Sequence, residues 1–309
     1  MSLMESILFA TVVAGTPLLL VALGELICEK AGMLNLGAEG MMSVGAVAAF
    51  VAAFTFESTL AGVASAIVAG ALLSLIYAFI TVHLMANHVA TGLAVAIFGV
   101  GLAAFLGKPF EAKVVPSIDR TQIPFLSDLP VIGQALFGQQ WMVYVTWVLF
   151  GLVVWFLART RGGLILKSVG ESPEAATAVG INVYRVRYMA IVFGGAMAGL
   201  GGAFLSLFHT PMWAEGMVAG KGWIALALVV FATWRAWRVF FGAYLFGGVM
   251  IAQLFVQSSP VPINIPAQFL SALPYLATIV VLVLISRNAK MIRLNSPASL
   301  GKPFRKESS

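Results

Sequence analysis

Four stretches of this 309-residue chain contain no aspartate, glutamate, lysine or arginine: 58 to 107, 129 to 158, 188 to 214 and 239 to 286. They run 50, 30, 27 and 48 residues, and a helix needs about 20 apolar residues to cross the hydrocarbon of a bilayer. Each stretch therefore holds one or two spans. Composition agrees: the chain is 61% hydrophobic and 10% charged, where a soluble domain is about 25% charged, so a soluble fold is excluded. Strands of an outer-membrane barrel are excluded too, because they run about 9 to 11 residues with alternating polarity. The expected fold is all-α, a polytopic integral membrane protein.

Apolar length and loop signals predict about nine helices, at 3–27, 34–55, 59–82, 89–107, 140–158, 187–209, 219–234, 239–257 and 268–286. The connections are short except for 108–139, rich in proline, glycine and acidic residues, and 159–186. No linker sets off a soluble unit, so residues 1–309 are read as one transmembrane domain. Two segments do not look like simple spans. One carries Asn35, Gly37, Glu39, Gly40 and Gly45 in otherwise apolar sequence, and the other has only 13 uncharged residues between Lys221 and Arg235. Both are expected to be broken or half-depth helices, and such interruptions point to a site near the midplane, since unwound backbone is tolerated only where it lines a cavity.

Thirteen of the 18 basic residues fall in 159–187, in the Arg235 and Arg238 connection, and in the tail from Arg287 onward. If two spans separate each region from the next, all three share one side, which the excess of lysine and arginine assigns to the cytoplasm. The 108–139 loop and the connection from His209 to Gly220 then lie outside, and nine spans put the N-terminus outside as well. The net charge of +6 sits in these connections and makes no basic face for nucleic acid. The single cysteine, Cys28, excludes an internal disulfide and reads as a small core residue, and no Cys/His cluster has metal-ligand spacing. The N-terminus has no basic region ahead of its apolar stretch, so the first segment is expected to be a retained span.

The most informative polar piece lies within 159–186. Ser172 is placed to cap a helix whose first position is Pro173, Glu174 suits the first turn, and Gly180 suits a left-handed ending. The result is a two-turn helix, 173–179, with an exposed face expected to be mainly Ala175, Ala176 and Ala178. It is either an ordinary loop helix or one that lies in a partner's groove.

The run Gly170-Glu171-Ser172-Pro173-Glu174-Ala175-Ala176 through Gly180-Ile181-Asn182, together with Leu34 to Met42 (LNLGAEGMM) and Gly220 to Leu228 (GKGWIALAL), resembles the permease subunits of ABC importers. The resemblance is to the branched-chain amino acid and ribose permease family. Within it, the chain is similar to the second, shorter permease of simple-sugar or nucleoside systems that work with binding lipoproteins of the basic-membrane-protein type. It extends over nearly the whole chain. Ser172 stands where the family usually has asparagine, and both residues cap well. The resemblance implies that 170–182 is the coupling helix that docks on an ATP-binding subunit. It also implies a second homologous permease beside this one around a central pathway, an extracytoplasmic solute-binding protein, and residence in the plasma membrane of a bacterium with the C-terminus cytoplasmic.

The chain itself is not expected to be an enzyme and needs no cofactor. Its Gly-Lys pairs, at 107, 220 and 301, are followed by Pro109, Gly222 and Pro303 and so lack the Ser/Thr of a phosphate-cradling loop. Gly99, Gly101 and Ala104 mimic a dinucleotide fingerprint but lie inside a span. Two roles fit Glu39: with Asn35 it hydrogen-bonds a solute, or it braces the broken segment by accepting backbone N–H groups. Glu25 reads as a helix-end residue. Lys221 and Trp223 open the short seventh segment, where Trp223 is either an interface anchor or a solute contact. His83, His88 and His209 read as solvated or structural, and Gly195 and Gly199 as a close-packing seam.

The expectation is a permease that moves a small polar solute by alternating access, most of all nucleosides, then simple sugars or branched-chain amino acids. Its proposed pathway residues are Asn35, Gly37, Glu39, Gly40, Lys221 and Trp223. A rival is an ion-coupled secondary transporter with Glu39 as its coupling carboxylate. A membrane-embedded enzyme is a weaker rival, with no nucleophile and base pair to support it.

Overall fold

A computed structural model describes residues 3–121, 127, 133–257 and 295–305, together with Ala272, Leu276, Ile279, Val280 and Val283. The described chain forms eleven α-helices: α1 (Leu3–Lys30), α2 (Ala38–Phe56), α3 (Thr59–Ala78), α4 (His88–Gly107), α5 (Gly133–Phe137), α6 (Trp141–Arg159), α7 (Arg161–Glu171), α8 (Pro173–Ala178), α9 (Val183–Ala203), α10 (Lys221–Phe231) and α11 (Ala236–Gln257). π-helical turns extend α3 through Phe79–His83 and α9 through Phe204–His209. Seven of these helices are long and apolar enough to cross a membrane.

The expected count of about nine helices is corrected in two places. The 159–186 connection contains two helices, α7 and α8, not one, and α5 interrupts the long loop. Most of the expected helix at 268–286 lies outside the described residues. The two suspect segments also divide. With 11 residues, α10 rises about 16 Å, half a bilayer, as its charge spacing suggested. By contrast α2 is an unbroken helix of 19 residues, and the irregular backbone lies just before it.

Helix α9 is the most enclosed, with 83% of its apolar window buried, and it packs against α1, α2 and α3. Lipid is as apolar as a leucine side chain, so helices in a membrane hold together by close packing. Small residues supply it here: a Cβ added to Gly199 would overlap the Ala66 carbonyl, and one added to Gly195 would overlap Ser74. The pseudo-fingerprint glycine Gly99 likewise meets the backbone of Gly40. The outer helices turn large apolar side chains outward, among them Leu60, Leu72, Ile97 and Phe105, as helices facing lipid do.

Hydrogen bonds fix which connections share an end. At one end Lys30 Nζ donates to Asn295 O (2.9 Å), Ser299 N to Gly170 O (3.0 Å) and Gly301 N to Gly32 O (3.0 Å), while Trp234 Nε1 donates to Glu29 Oε2 (2.5 Å). The three basic regions thus gather together, as far as the tail is described. At the opposite end Val115 N donates to Pro211 O (3.1 Å), joining the long loop to the connection after α9, and Thr121 N donates to Gln139 O (2.9 Å) within that loop.

Candidate functional site

The first candidate region is the junction of α1, α2 and α10. Helix α1 ends at Gly32, whose φ of +83° suits glycine alone, and the N–H groups of Gly32 and Met33 donate back to the carbonyls of Glu29 (2.8 Å) and Cys28 (3.0 Å). The chain then folds inward, with Asn35 as its staple. Asn35 Nδ2 donates to Glu25 Oε1 (3.1 Å), its Oδ1 accepts from Gly37 N (3.0 Å), and Tyr77 donates its hydroxyl to Leu34 O (2.6 Å).

Glu39, in the first turn of α2, completes the junction. Its Oε1 accepts from Gly220 N (2.7 Å) and its Oε2 from Gly222 N (2.8 Å), two backbone donors at the start of α10. The first N–H groups of a helix have no partner within it, and the helix dipole favours an anion there. Gly220 has no side chain to act as a cap. The Glu39 carboxylate from another helix does that work, which is the bracing role among the two considered for it.

The proposed pathway residues thus separate into two groups. Asn35, Gly37, Glu39 and Gly40 are buried, and Gly40 is pressed against the α4 backbone at Val95 and Ala96. Lys221 is half-buried and donates to Met217 O (3.1 Å) and Val218 O (3.2 Å), while Trp223 is 50% exposed. Only these last two present open side-chain surface.

Several residues at this end were undervalued by sequence reasoning. Glu25 lies near the end of α1, as read, but both it and Glu29 are fully buried: Glu25 anchors Asn35, and Glu29 anchors Trp234 after α10. The clue was three carboxylates, Glu25, Glu29 and Glu39, within 15 residues of an apolar segment. His88 is fully enclosed, His83 is bonded to the Tyr188 hydroxyl (2.7 Å), and Cys28 donates to Ala190 O (3.2 Å), all of them structural positions. Among the described residues no group of three His, Cys, Asp or Glu is placed to hold a metal.

The second candidate region is the 159–186 connection. Thr160 Oγ1 accepts from Gly163 N (3.0 Å) and starts α7. Ser172 serves two helices: its N–H donates to Ser168 O (2.9 Å) at the end of α7, and its Oγ accepts from Ala175 N (3.2 Å) at the start of α8. Pro173 occupies the first turn, where no N–H is needed. Gly180, at φ +84°, closes α8, with its N–H donating to Thr177 O (2.9 Å) and that of Ile181 to Ala176 O (3.0 Å). Asn182 Oδ1 then accepts from Arg185 N (3.0 Å) and caps α9.

The exposed face of α8 agrees with the expectation at Ala175 and Ala178 and departs from it at Ala176. Ala176 is only 2% exposed and packs inward with Val169, Val183 and Phe304. The open side chains are Glu174, Ala175, Ala178 and Val179, with Glu171 and Gly180 at the rims. Alanines line both sides of this six-residue helix, so the sequence could not say which side faces out. Also unforeseen is Arg187, counted above with the basic loop: it is 2% exposed, and its Nη1 donates to Lys302 O (3.5 Å).

Comparison with known proteins matches residues 7–285 to the family described as branched-chain amino acid transport system, permease component. A Haloferax volcanii protein provisionally named glucose ABC transporter permease protein TsgC13 is 38% identical, the alignment covering 99% of each chain. The guanosine ABC transporter permease protein NupQ of Bacillus subtilis is 31% identical, covering 96% of this chain and 95% of that one. The nucleoside ABC transporter permease protein NupC of Lactococcus lactis is 32% identical, covering 87% and 88%.

Proposed function

Because the chain belongs to the branched-chain amino acid transport system permease family, we propose that it is the transmembrane subunit of an ATP-driven importer whose solute is a nucleoside. The observation that carries the mechanism is α8. It is capped at both ends, seated at the end of the molecule where the basic connections gather, and turned so that Glu174, Ala175, Ala178 and Val179 are open. That surface suits a groove on an ATP-binding subunit. The excess of basic residues makes this end cytoplasmic, which leaves the C-terminus inside and the 108–121 and 210–219 connections outside.

In this reading, closure of two ATP-binding subunits displaces α8, and the packed helices transmit the movement to a central pathway shared with a second homologous permease. An external binding protein delivers the solute, so the pathway needs only modest affinity. Lys221 and Trp223 supply the open polar and aromatic surface along it. Asn35, Gly37, Glu39 and Gly40 shape its wall by holding the start of α10 in place. An ion-coupled mechanism through Glu39 is less well supported, since both oxygens of that carboxylate already accept backbone hydrogens.

The nucleoside assignment rests on the guanosine and nucleoside permeases among its relatives. An aromatic, largely uncharged surface suits a flat base and hydroxyls. A simple sugar is the second reading, favoured by the 38% identity with the glucose permease. The test is uptake of labelled guanosine, adenosine, glucose and ribose by the complete complex with its binding protein, alongside a nucleoside monophosphate. A phosphate brought into spans without a basic cluster would lack counter-charge, so the nucleoside should enter and its monophosphate should not. Glucose entry without nucleoside entry moves the assignment to the sugar. Branched-chain amino acid entry alone overturns both.

A further inference from the structure

Residues 295–305 cross the basic end of the molecule as a strap, and their contacts fall on every segment between α8 and the α1–α2–α10 junction. Ser299 is buried and donates twice to the Gly170 carbonyl, from its N–H (3.0 Å) and its Oγ (2.7 Å). Those donors meet α7 where the helix ends and its last carbonyls lack intrahelical partners. Two residues on, Gly301 N donates to Gly32 O (3.0 Å), the residue that turns the chain from α1 toward Asn35 and Glu39. Next, Lys302 O accepts from Arg187 Nη1 of α9 (3.5 Å). Phe304 then closes a small apolar cluster with Val169 of α7, Ala176 of α8 and Val183 of α9. The Arg187 guanidinium lies 5.9 Å from the Phe304 ring centre, and the Tyr184 ring packs against the same phenyl group.

The space on either side of these contacts is open. A cavity of about 240 Å³ lies between Glu174, Arg187 and Ala298, and another of about 240 Å³ lies between Thr177, Asn182 and Phe304. Phe304 therefore meets the inward face of α8 beside one of these openings, and Ser299 and Lys302 border the other. A load applied to α8 from outside reaches the body through this cluster, and through the strap's other contacts it reaches Gly32 directly.

We propose that the strap is a positioning element for energy coupling, with Phe304 seating α8 and Ser299 and Gly301 tying it to the turn that carries the Asn35 and Glu39 junction. The inference rests on α8 being the coupling helix. A strap that only stabilised the fold would change abundance. A strap that transmits movement sets how much solute is moved for each ATP hydrolysed.

The experiment uses the complete complex in proteoliposomes with its binding protein. Uptake and ATP hydrolysis are measured for Phe304→Ala, Ser299→Ala, Phe304→Leu and a chain ending at Leu294, and the bound ATP-binding subunit is quantified. Phe304→Ala and the shortened chain should retain that subunit yet lower the ratio of solute moved to ATP hydrolysed about tenfold. Ser299→Ala should lower it severalfold, and Phe304→Leu, which refills the cluster, should restore most of it. A wild-type ratio in both Phe304→Ala and the shortened chain overturns the proposal, as does a fall in uptake and hydrolysis in strict parallel with loss of the ATP-binding subunit. Ala178→Arg, on the open face of α8, tests the underlying reading separately. If that variant transports normally, α8 is not the coupling helix, whatever the strap variants do.

Discussion

The α8 connection and the Glu39 junction are both polar interruptions in an apolar chain, yet they are held in opposite ways. Around α8 the stabilising bonds are local, with partners three to five residues apart: Ser172 with Ala175, Gly180 with Thr177, Ile181 with Ala176. At the junction they are long-range, with Glu39 reaching 181 and 183 residues along the chain to the start of α10. Environment explains the difference. At the aqueous end water can satisfy any stray backbone group, so the backbone ends of a short helix are closed by its own caps, even where Phe304 packs on its inward face. Inside the bilayer an unpaired N–H has no solvent to turn to, so irregular backbone survives only where another element brings a partner.

That contrast is broken most directly at Glu39. Glu39→Ala leaves the N–H groups of the half-buried Gly220 and the buried Gly222 without acceptors, at about 1–3 kcal/mol for the buried one. The detergent-solubilised complex should lose thermal stability and yield, and Glu39→Gln, with one acceptor oxygen left, should recover only part of both. Melting of Glu39→Ala at the wild-type temperature would show that α10 is held by packing alone, and the two regions would then not differ in kind.

The two faces of α8 give the next largest effects and separate docking from folding. Arginine at Ala178 projects from an open position, so the chain should reach the membrane in normal amounts while uptake and solute-stimulated ATPase are lost together. Arginine at Ala176 is forced into the Val169, Val183 and Phe304 cluster, where an unpaired buried charge costs several kcal/mol, and it should lower abundance first. Quantitative membrane blotting beside uptake distinguishes them. Equal behaviour of the two variants would remove the assignment of an outward and an inward face.

What the sequence disclosed follows the same division. Ser172, Pro173 and Gly180 were readable because caps and turns depend on neighbours a few residues away, and the half-length of α10 was readable from the 13 uncharged residues between Lys221 and Arg235. The partners of Glu25, Glu29 and Arg187 were not legible because they lie 10, 205 and 115 residues distant, which no local pattern encodes. The irregular entry to α2 was recognised as unusual from Asn35, Gly37 and Glu39. Its location ahead of the helix was not recognised, because a glycine inside a packed helix and a glycine in a turn look alike in one sequence. Phe304 was invisible for another reason: one aromatic residue in a basic tail carries no periodicity.

A smaller effect sharpens the role of the junction. Trp223 is half exposed at the start of α10, so Trp223→Ala should leave stability near wild type. If its ring stacks on a base along the pathway, KM for nucleoside uptake should rise about three- to tenfold, on the order of 1 kcal/mol, with little change for ribose. Equal changes for nucleoside and ribose would make Trp223 a general interface anchor and place base recognition elsewhere.

The smallest effect tests whether the α8 region is as local as its bonds imply. Ser172 Oγ accepts from Ala175 N at 3.2 Å, and removing such a cap costs about 1 kcal/mol in a typical helix. Ser172→Ala should therefore loosen the first turn of α8 and lower uptake severalfold without reducing abundance, because water replaces the lost acceptor. Asparagine caps as well as serine, so Ser172→Asn should transport at least as well as the native chain. Hydrogen exchange at Ala175 and Ala176 provides the structural readout: faster in Ser172→Ala, native or slower in Ser172→Asn, and unchanged across the Glu39 junction in both. If Ser172→Ala instead speeds exchange at Gly220 and Gly222, the caps of α8 also hold the membrane-embedded junction, and the division into a locally held end and a remotely held interior fails.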